Sequence, residues 1–472
     1  MTLATVQALL PQLILAVGAT LVLIVGAWIN DRRLWLTVGI GLTLVAAFCF
    51  GVLEPPVAEI EGMYTTSAYA RFCAVLWLLT IAALLLLSPR YMRIHGFGAG
   101  EYVSLMLFAG AGMTLLSAST SLVGLFVSLE AFTLALYILI AFKRGDDDSA
   151  EAGLKYLVLG AVATGFMAFA IGLIYVATGS FHFQEAMAAL QLDGGLRPLG
   201  LAGWALLLVA VGFKISLVPF HFWTPDVYQG APAPVGGLLA TAAKGAVLAA
   251  LLPLLGALGE GAGEVKQILW LLAVITMLVG TLVALPQTNL KRMLAYSSVV
   301  HMGYLVIALL IGGNPGGRAL LFYLVIYSLA TLGAFGVVTS FTGDEKDTQE
   351  YADLQGIGWL HPGRSLVLAA CLLSLAGIPP LAGFFAKFGL FRAALAHGYA
   401  ELAVIGVLAS LVSVYYYLRP LVVIFMREDS TAHVVEPGAV SENLVLVGCL
   451  VALLFLGVFP GPLLNLVALV LP

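Results

Sequence analysis

The chain has 472 residues, of which 61% are hydrophobic and 10% are charged, and its formal net charge is −4. A soluble chain of this length would divide into two or three domains, but repeated apolar runs of about 20 residues predict transmembrane helices instead. The small net charge and the lack of a basic tract give no indication of a nucleic-acid partner. The four cysteines lie singly in apolar runs, which argues against disulfides, a CxxC redox pair and a metal cluster.

Fourteen apolar runs along the chain are predicted to span the membrane. The connections between them are mostly short, and no change of composition marks a second soluble domain, so residues 1–472 are predicted to form a single membrane domain. The predicted spans begin near Gln7, Leu34, Ala68, Glu101, Ser121, Gly153, Leu199, Pro234, Lys266, Leu290, Gly317, Arg364, Glu401 and Asn443. The predicted fold class is therefore all-α and integral to the membrane.

Basic residues are distributed unevenly between the two ends of the predicted bundle. The loops after odd-numbered spans contain eleven of them: Arg32, Arg33, Arg90, Arg93, Lys143, Arg144, Lys291, Arg292, Lys346, Arg364 and Arg427. The loops after even-numbered spans contain four: Arg197, Lys266, Arg318 and Arg392. Because an excess of lysine and arginine marks the cytoplasmic side, both chain termini are predicted to lie on the outer side of the membrane.

Four ionisable side chains lie too deep in the predicted spans for their charges to reach the interface: Glu130, Lys214, Lys244 and Lys387. Ionisable groups at this depth are costly and usually face a bundle interior, where they mark ion pathways. A buried lysine can be switched between its charged and neutral forms by a nearby carboxylate or by water, which is what a proton relay requires. The sequence leaves open whether Glu130 pairs with Lys214 or with Lys244.

Three further residues are weaker candidates for a relay. Lys155 lies in a predicted span, but its long side chain can snorkel to the interface, as can those of Arg71 and Arg419. His301 lies mid-span and His221 follows the first proline break, and each is either a relay group or a hydrogen-bonded packing residue. The two histidines do not form a recognisable haem-ligating pair, so no haem is predicted.

Two predicted spans are interrupted by prolines. Pro219 and Pro225 lie in "GFKISLVPFHFWTPDVYQGAP", and Pro379 and Pro380 lie in "SLAGIPPLAGFFAKFGLF". Such breaks are tolerated where the freed backbone groups line a cavity or contact water. Because the two breaks are five spans apart and each is accompanied by a lysine, we predict two inverted five-helix repeats. They comprise residues 101–258 (spans 4–8) and 259–427 (spans 9–13), between three N-terminal spans in residues 1–100 and a C-terminal span in residues 428–472.

These motifs resemble those of the antiporter-like membrane subunits of respiratory complex I. The resemblance runs over nearly the whole chain and is strongest in "GFKISLVPFHFWTPDVYQGAPAPV", "NLKRMLAYSSVVHMGY" and "SLAGIPPLAGFFAKF". Three features favour the N-type branch of this family over the M-type and L-type branches. They are "TPDVYQGAPAP", a lysine rather than a glutamate at Lys387, and the absence of a long lateral helix after the last span.

The resemblance implies a fourteen-helix subunit that carries protons and packs against other membrane subunits in the bacterial inner membrane. In this family the glutamate of span five and the lysines of spans seven, eight and twelve form a central polar axis, which maps onto Glu130, Lys214, Lys244 and Lys387. Lys155 and His301 also match family positions. The resemblance implies no cofactor or metal in this chain, whereas NADH, FMN, iron–sulfur clusters and quinone are expected in partner subunits.

Two other kinds of function stay open at this point. The first is a stand-alone or multisubunit cation/proton antiporter, which uses the same fold, although "YQGAPAP" argues against it. Membership of a related ferredoxin- or hydrogenase-linked complex also stays open. The second alternative is a structural subunit that is needed for assembly but carries no protons. Against it, apolar residues would pack at lower cost than Glu130 and three deep lysines.

Overall fold

The computed structural model describes residues 2–190, 196–256, 262–342, 349–426 and 439–471, and these are almost entirely helical. The first half contains α1 Leu3–Ala8, α2 Leu10–Gly26, α3 Arg32–Val52, α4 Ala68–Ile94, α5 Ala99–Ser117, α6 Leu122–Ile140, α7 Asp147–Thr178, α8 Phe183–Ala188, α9 Arg197–Lys214, α10 Trp223–Gly230, α11 Ala233–Leu238 and α12 Lys244–Gly256. The second half contains α13 Gly263–Ala284, α14 Leu290–Ile311, α15 Gly313–Ser340, α16 Ile357–Leu360, α17 Pro362–Ala376, α18 Ala382–Ala396, α19 Ala400–Met426, α20 Val440–Val458 and α21 Gly461–Val470. Two short strands, β1 Glu59–Ile60 and β2 Tyr64–Thr65, pair antiparallel between α3 and α4.

The predicted spans correspond to apolar helices throughout the described ranges. Twelve helices there are long and apolar enough to cross a membrane, counting Ala233–Gly256 as one. The two remaining predicted spans are shorter helices. The first is α2, with 17 residues, and the second is the pair α17 and α18, with 15 residues each. The all-α membrane class is confirmed, and the shorter helices explain why the count by length is below fourteen.

Short polar side chains fix where several helices begin. The side chains of Asp31, Ser67, Ser121, Asp146 and Asn289 each accept a hydrogen bond from a backbone N–H in the first turn of the helix that follows. These caps satisfy N–H groups that have no partner inside the helix. The connections between spans can therefore stay short.

Among the described residues, three departures from regular α-helix lie beside the buried lysines. Between α9 and α10 the chain turns through Ser216, which has a φ of 62°. Between α17 and α18 it turns through Gly377, which ends α17 with a φ of 87°. The third is a π-helical turn, Leu239–Ala243, between α11 and α12.

The breaks predicted at Pro219 and at Pro379 and Pro380 are the first two of these departures. The break predicted at Pro225 is wrong, because Pro225 lies in the first turn of α10, where a proline is tolerated. The π-turn has no proline signal in the sequence.

The centre of the bundle is formed by α12, α14 and α15, whose residues are buried almost throughout. In contrast, α7 and α20 expose apolar faces, with large side chains such as Phe169 and Val447 on the outside. An exposed apolar face on a helix of this length is expected where the helix meets lipid. Side chains on the central helices are therefore shielded from lipid by protein.

The second break depends on a close contact between α17 and α18. A Cβ at Gly383 would overlap the carbonyl oxygen of Ser374 in α17, whereas a Cβ at Gly389, also in α18, would meet nothing within 4 Å. We therefore expect Gly383→Ala to destabilise the protein by about 1–3 kcal/mol, as overpacking usually does. Gly389→Ala is the matched control and should leave stability unchanged. Thermal unfolding of the purified protein measures both, and equal stability of the two variants would contradict this packing.

Candidate functional site

Glu130 and Lys214 form an ion pair between α6 and the end of α9. The Lys214 ammonium lies 3.4 Å from Glu130 Oε1 and 3.3 Å from the Thr133 hydroxyl. The Thr164 hydroxyl of α7 donates to the same carboxylate oxygen at 2.7 Å. Only 2% of the Lys214 side chain is exposed, against 20% for Glu130. The structure thus pairs Glu130 with Lys214, which the sequence had left open.

Lys244 is buried directly after the π-turn and lies between aromatic rings. Its ammonium donates to the Ser298 hydroxyl of α14 at 2.7 Å. It also lies 5.7 Å from the ring centre of Trp223 and 5.2 Å from that of Tyr228, both in α10, where the faces of the rings attract a cation. No carboxylate of the described residues is within ion-pair distance of Lys244.

A small cavity separates Lys214 from Lys244. Both lysines line it, together with Phe132, Tyr156 and Trp223 among others. Its volume of ≈ 10 Å³ is about the space that the centre of one water molecule needs. The cavity is therefore about large enough to hold one water molecule between the two side chains.

His301 occupies the middle of α14 and contacts two tyrosines. Its Nδ1 lies 2.8 Å from the Tyr323 hydroxyl, and its Nε2 lies 3.1 Å from the Tyr417 hydroxyl. The Tyr417 hydroxyl is also hydrogen-bonded to Ser297. Residues three and four positions apart lie on the same face of a helix, so Ser297, Ser298 and His301 form one polar stretch. This stretch leads from Lys244 towards the second break.

Lys387 lies in α18 beside the second break. Its ammonium donates to the Ser410 hydroxyl at 2.8 Å and to the Ala376 carbonyl oxygen at 3.0 Å, and it lies 5.4 Å from the ring centre of Tyr304. As for Lys244, no carboxylate in the described part of the chain lies within ion-pair distance of Lys387. A second cavity of ≈ 10 Å³ is lined by Lys387, His301 and Tyr323.

The four principal candidates therefore lie along one polar line that crosses the bundle. The line runs from Glu130 and Lys214 through the first small cavity to Lys244, then along α14 to His301, and through the second cavity to Lys387. It joins the halves of the chain that contain the two breaks. Three lysines lie along it, and one of them, Lys214, contacts the carboxylate of Glu130.

Lys155 lies away from this line, on the surface of α7. Its ammonium contacts Glu151 at 2.6 Å and Asp226 at 2.9 Å, and Asp226 also contacts Arg292 at 2.7 Å. The side chain of Lys155 is 40% exposed. This position agrees with the snorkelling alternative, and the surface cluster connects α7, α10 and α14.

His221 is buried in the first break, where its ring lies beside those of Phe222 and Tyr296. Its Nδ1 has no hydrogen-bond partner among the residues that the structure describes. Among the described residues, His221 makes no hydrogen bond to a lysine of the polar line.

The hydroxyl groups that form hydrogen bonds with the lysines and with His301 were not predicted from the sequence. Thr133 and Ser298 lie three residues from Glu130 and His301 respectively, so helical spacing could have identified them. Ser410 and Tyr417 belong to α19 and meet Lys387 and His301 only through tertiary packing. No group of three or more His, Cys, Asp or Glu side chains that could hold a metal ion occurs in the described ranges.

Comparison with known proteins gives a consistent assignment. The family model described as NADH:quinone oxidoreductase/Mrp antiporter, TM, matches residues 119–413, which include Glu130, Lys214, Lys244, His301 and Lys387. The chain is 46% identical over 467 residues to NADH-quinone oxidoreductase subunit N of Syntrophotalea carbinolica, with 98% of both chains covered. It is 43% identical over 467 residues to subunit N of Geotalea uraniireducens, with 99% of both chains covered.

A solved structure shows the same arrangement of helices. The chain superposes on a chain of respiratory complex I from Thermus thermophilus with a TM-score of 0.82 and 35% sequence identity, covering 97% of this chain and 99% of that one. The resemblance to the N-type branch is thereby confirmed. The chain belongs to the family of NADH-quinone oxidoreductase N subunits, and it is a multi-pass membrane subunit of a proton-translocating respiratory complex that assembles with other membrane subunits.

Proposed function

We propose that Glu130, Lys214, Lys244, His301 and Lys387 carry protons across this subunit as a relay. The observation that carries the proposal is the line of ionisable and polar side chains that runs through the middle of the bundle. Each gap along the line contains a hydroxyl group or a cavity of about one water molecule. Ionisable groups at this depth are expensive to bury, and a purely structural subunit would gain nothing from them.

The three lysines differ in the groups that stabilise their charged forms. This difference gives the proposed relay a physical basis. The Glu130 carboxylate directly stabilises the charged form of Lys214. Lys244 and Lys387 have only hydroxyl groups, a carbonyl oxygen and ring faces. A buried ammonium without a counter-ion is held less firmly in its charged form than one beside a carboxylate. A movement of Glu130 away from Lys214 therefore changes which lysine holds a proton most favourably.

Lys155 and His221 receive different roles in this proposal. The ion pairs of Lys155 with Asp226 and of Asp226 with Arg292 hold α10, whose rings contact Lys244. Lys155 is therefore proposed to be a positioning residue. His221, with an unpartnered ring nitrogen in the first break, remains a candidate for proton exchange with water that reaches the break.

The redox chemistry is proposed to lie in partner subunits, which would hold NADH, FMN, the iron–sulfur clusters and quinone. The chain itself is proposed to reside in the bacterial inner membrane with both termini on the outer side, because basic side chains are concentrated at the opposite end of the bundle. Of the basic residues used for this argument, Lys346 and Arg427 lie outside the described residues.

The division into two inverted repeats, residues 101–258 and 259–427, is also a proposal. It is supported by the two interrupted spans, α9–α10 and α17–α18, each of which carries a lysine of the polar line. The proposed boundaries near residues 258 and 427 lie outside the described residues.

The ion pair at the start of the line provides the first functional test. We expect Glu130→Gln and Lys214→Ala to lower redox-driven proton pumping while the complex still assembles. Lys214→Ala should also cost about 3 kcal/mol, the lower end of the range for a broken buried pair, because Glu130 is partly exposed. Glu264→Gln is the matched control, since it removes a carboxylate from the surface pair with Arg197. Pumping at the control's rate in both variants would refute a relay role for the pair.

Substitutions of Lys387 separate proton transfer from packing. Lys387→Glu keeps a titratable group at the end of the line and should retain more pumping than Lys387→Leu. Leucine is cheaper to bury than an ammonium, so Lys387→Leu should be at least as stable as the native protein although it pumps poorly. Proton uptake per electron pair in vesicles, at matched assembly, measures the difference. If leucine pumped as well as glutamate, Lys387 would have only a packing role.

Cysteine labelling of sealed vesicles tests the orientation. Arg144→Cys lies in the exposed connection before α7, and Ala58→Cys lies exposed between α3 and α4. We expect a reagent that cannot cross the membrane to label Ala58→Cys from the outer side and Arg144→Cys only from the cytoplasmic side. Background should be low, because Cys73, Cys371 and Cys449 are buried and Cys49, which is partly exposed, lies within the apolar helix α3. Labelling of Arg144→Cys from outside would reverse the topology.

A further inference from the structure

A groove of ≈ 540 Å³ lies on the outside of the bundle between α17 and α20, far from the polar line. One end is lined by polar or basic residues, namely His361, Arg364 and Asn443. The rest of the lining is apolar, and it includes Leu366, Val367, Leu446, Val447 and Leu450. The groove is therefore amphipathic along its length.

The polar end lies at the level where both helices begin. His361 and Pro362 start α17, and Asn443 lies in the first turn of α20. Helix beginnings carry partial positive charge and free N–H groups, so both helices favour an anion here. Nearby, Trp359 is 75% exposed, as expected of a residue at the boundary between membrane and water.

The apolar end extends into the membrane. Asn443 and Leu450 are seven residues apart on α20, which corresponds to about 10 Å along a regular helix. Leu366 and Val447 are 58% and 53% exposed, so both walls present hydrocarbon to whatever occupies the groove. A soluble anion would leave this part unfilled.

We propose that this groove binds a phospholipid with an anionic headgroup. The phosphate would lie against the Arg364 guanidinium, the His361 ring and the Asn443 amide, and an acyl chain would follow Leu446 and Leu450. Basic pockets between membrane helices are suited to such headgroups. Arg364 lines the polar end of the groove, is 8% exposed, and donates to the Ser340 carbonyl oxygen at 3.0 Å.

The surrounding charges are compatible with this ligand. The groove lining contains basic, neutral polar and apolar residues, and no acidic residue is among those that the structure places there. The Glu442 carboxylate is buried in the first turn of α20 and offsets part of the charge of Arg364 without lining the groove.

Two glycine variants distinguish the loss of lipid from an obstructed groove from a general loss of protein stability. Added Cβ atoms at Gly363, which lines the groove, and at Gly448, on α20 outside its lining, would each meet nothing within 4 Å. We therefore expect Gly363→Phe to obstruct the groove without a clash at Cβ, while Gly448→Phe is its matched control.

The experiment is a lipid titration of the whole purified complex, measured by native mass spectrometry after mild delipidation. Phosphatidylglycerol and phosphatidylcholine with identical chains serve as probes. The native complex should prefer phosphatidylglycerol, Gly363→Phe should lose one bound lipid, and Gly448→Phe should keep it. Arg364→Gln should weaken phosphatidylglycerol binding about fivefold, the equivalent of one basic residue at a membrane surface, while phosphatidylcholine binding changes little.

Four results would overturn the proposal. One is equal binding of the two lipids to the native complex. Another is unchanged lipid occupancy in Gly363→Phe at full assembly. The third is the loss of a neighbouring subunit from Gly363→Phe with lipid unchanged, because the groove would then be a protein interface. Displacement of phosphatidylglycerol by inorganic phosphate alone would likewise exclude a lipid as the specific ligand.

Discussion

The cost of burying charge in a membrane is the constraint on which this structure depends. Three ammonium groups and one carboxylate lie along the polar line. Such groups persist only when the protein supplies other partners. Each of the three lysines lies at or beside a place where a helix is irregular. Lys214 is the last residue of α9, where the negative end of the helix dipole favours a cation.

The other two lysines use the irregular backbone in different ways. Lys387 donates to the carbonyl oxygen of Ala376, which the end of α17 leaves without a helical partner. Lys244 follows the π-turn and lies against Trp223 and Tyr228 of α10. Breaks in membrane helices are tolerated where protein or water satisfies the freed groups. At the second break the freed carbonyl oxygen and Lys387 satisfy each other, so the polar line and this interrupted helix form one structural feature.

The sequence predicted this feature in outline because its main signals are local. Hydropathy located the helices, proline located the breaks, and the depth of Glu130, Lys214, Lys244 and Lys387 identified the polar groups. The π-turn before Lys244 has no such signal, because its residues, "LATAA", are compatible with ordinary helix. The pairing of Glu130 with Lys214, and the contact of Tyr417 with His301, depend on how distant helices pack. Lys155 was ambiguous for the same reason, since its acceptor Asp226 belongs to another helix.

Protons are proposed to cross the middle of the subunit through the groups around His301. Tyr417→Phe and Tyr351→Phe separate this route from the general loss of a buried hydroxyl, because each removes one buried hydroxyl and keeps the ring. The Tyr417 hydroxyl bonds to His301 and Ser297. The Tyr351 hydroxyl has no hydrogen-bond partner in the described part of the chain, and its ring lies beside Arg419 rather than beside a lysine of the polar line. Measured as protons moved per electron pair in reconstituted vesicles, pumping should fall in Tyr417→Phe and stay near the native value in Tyr351→Phe. Equal pumping in the two variants would be evidence against a route through His301.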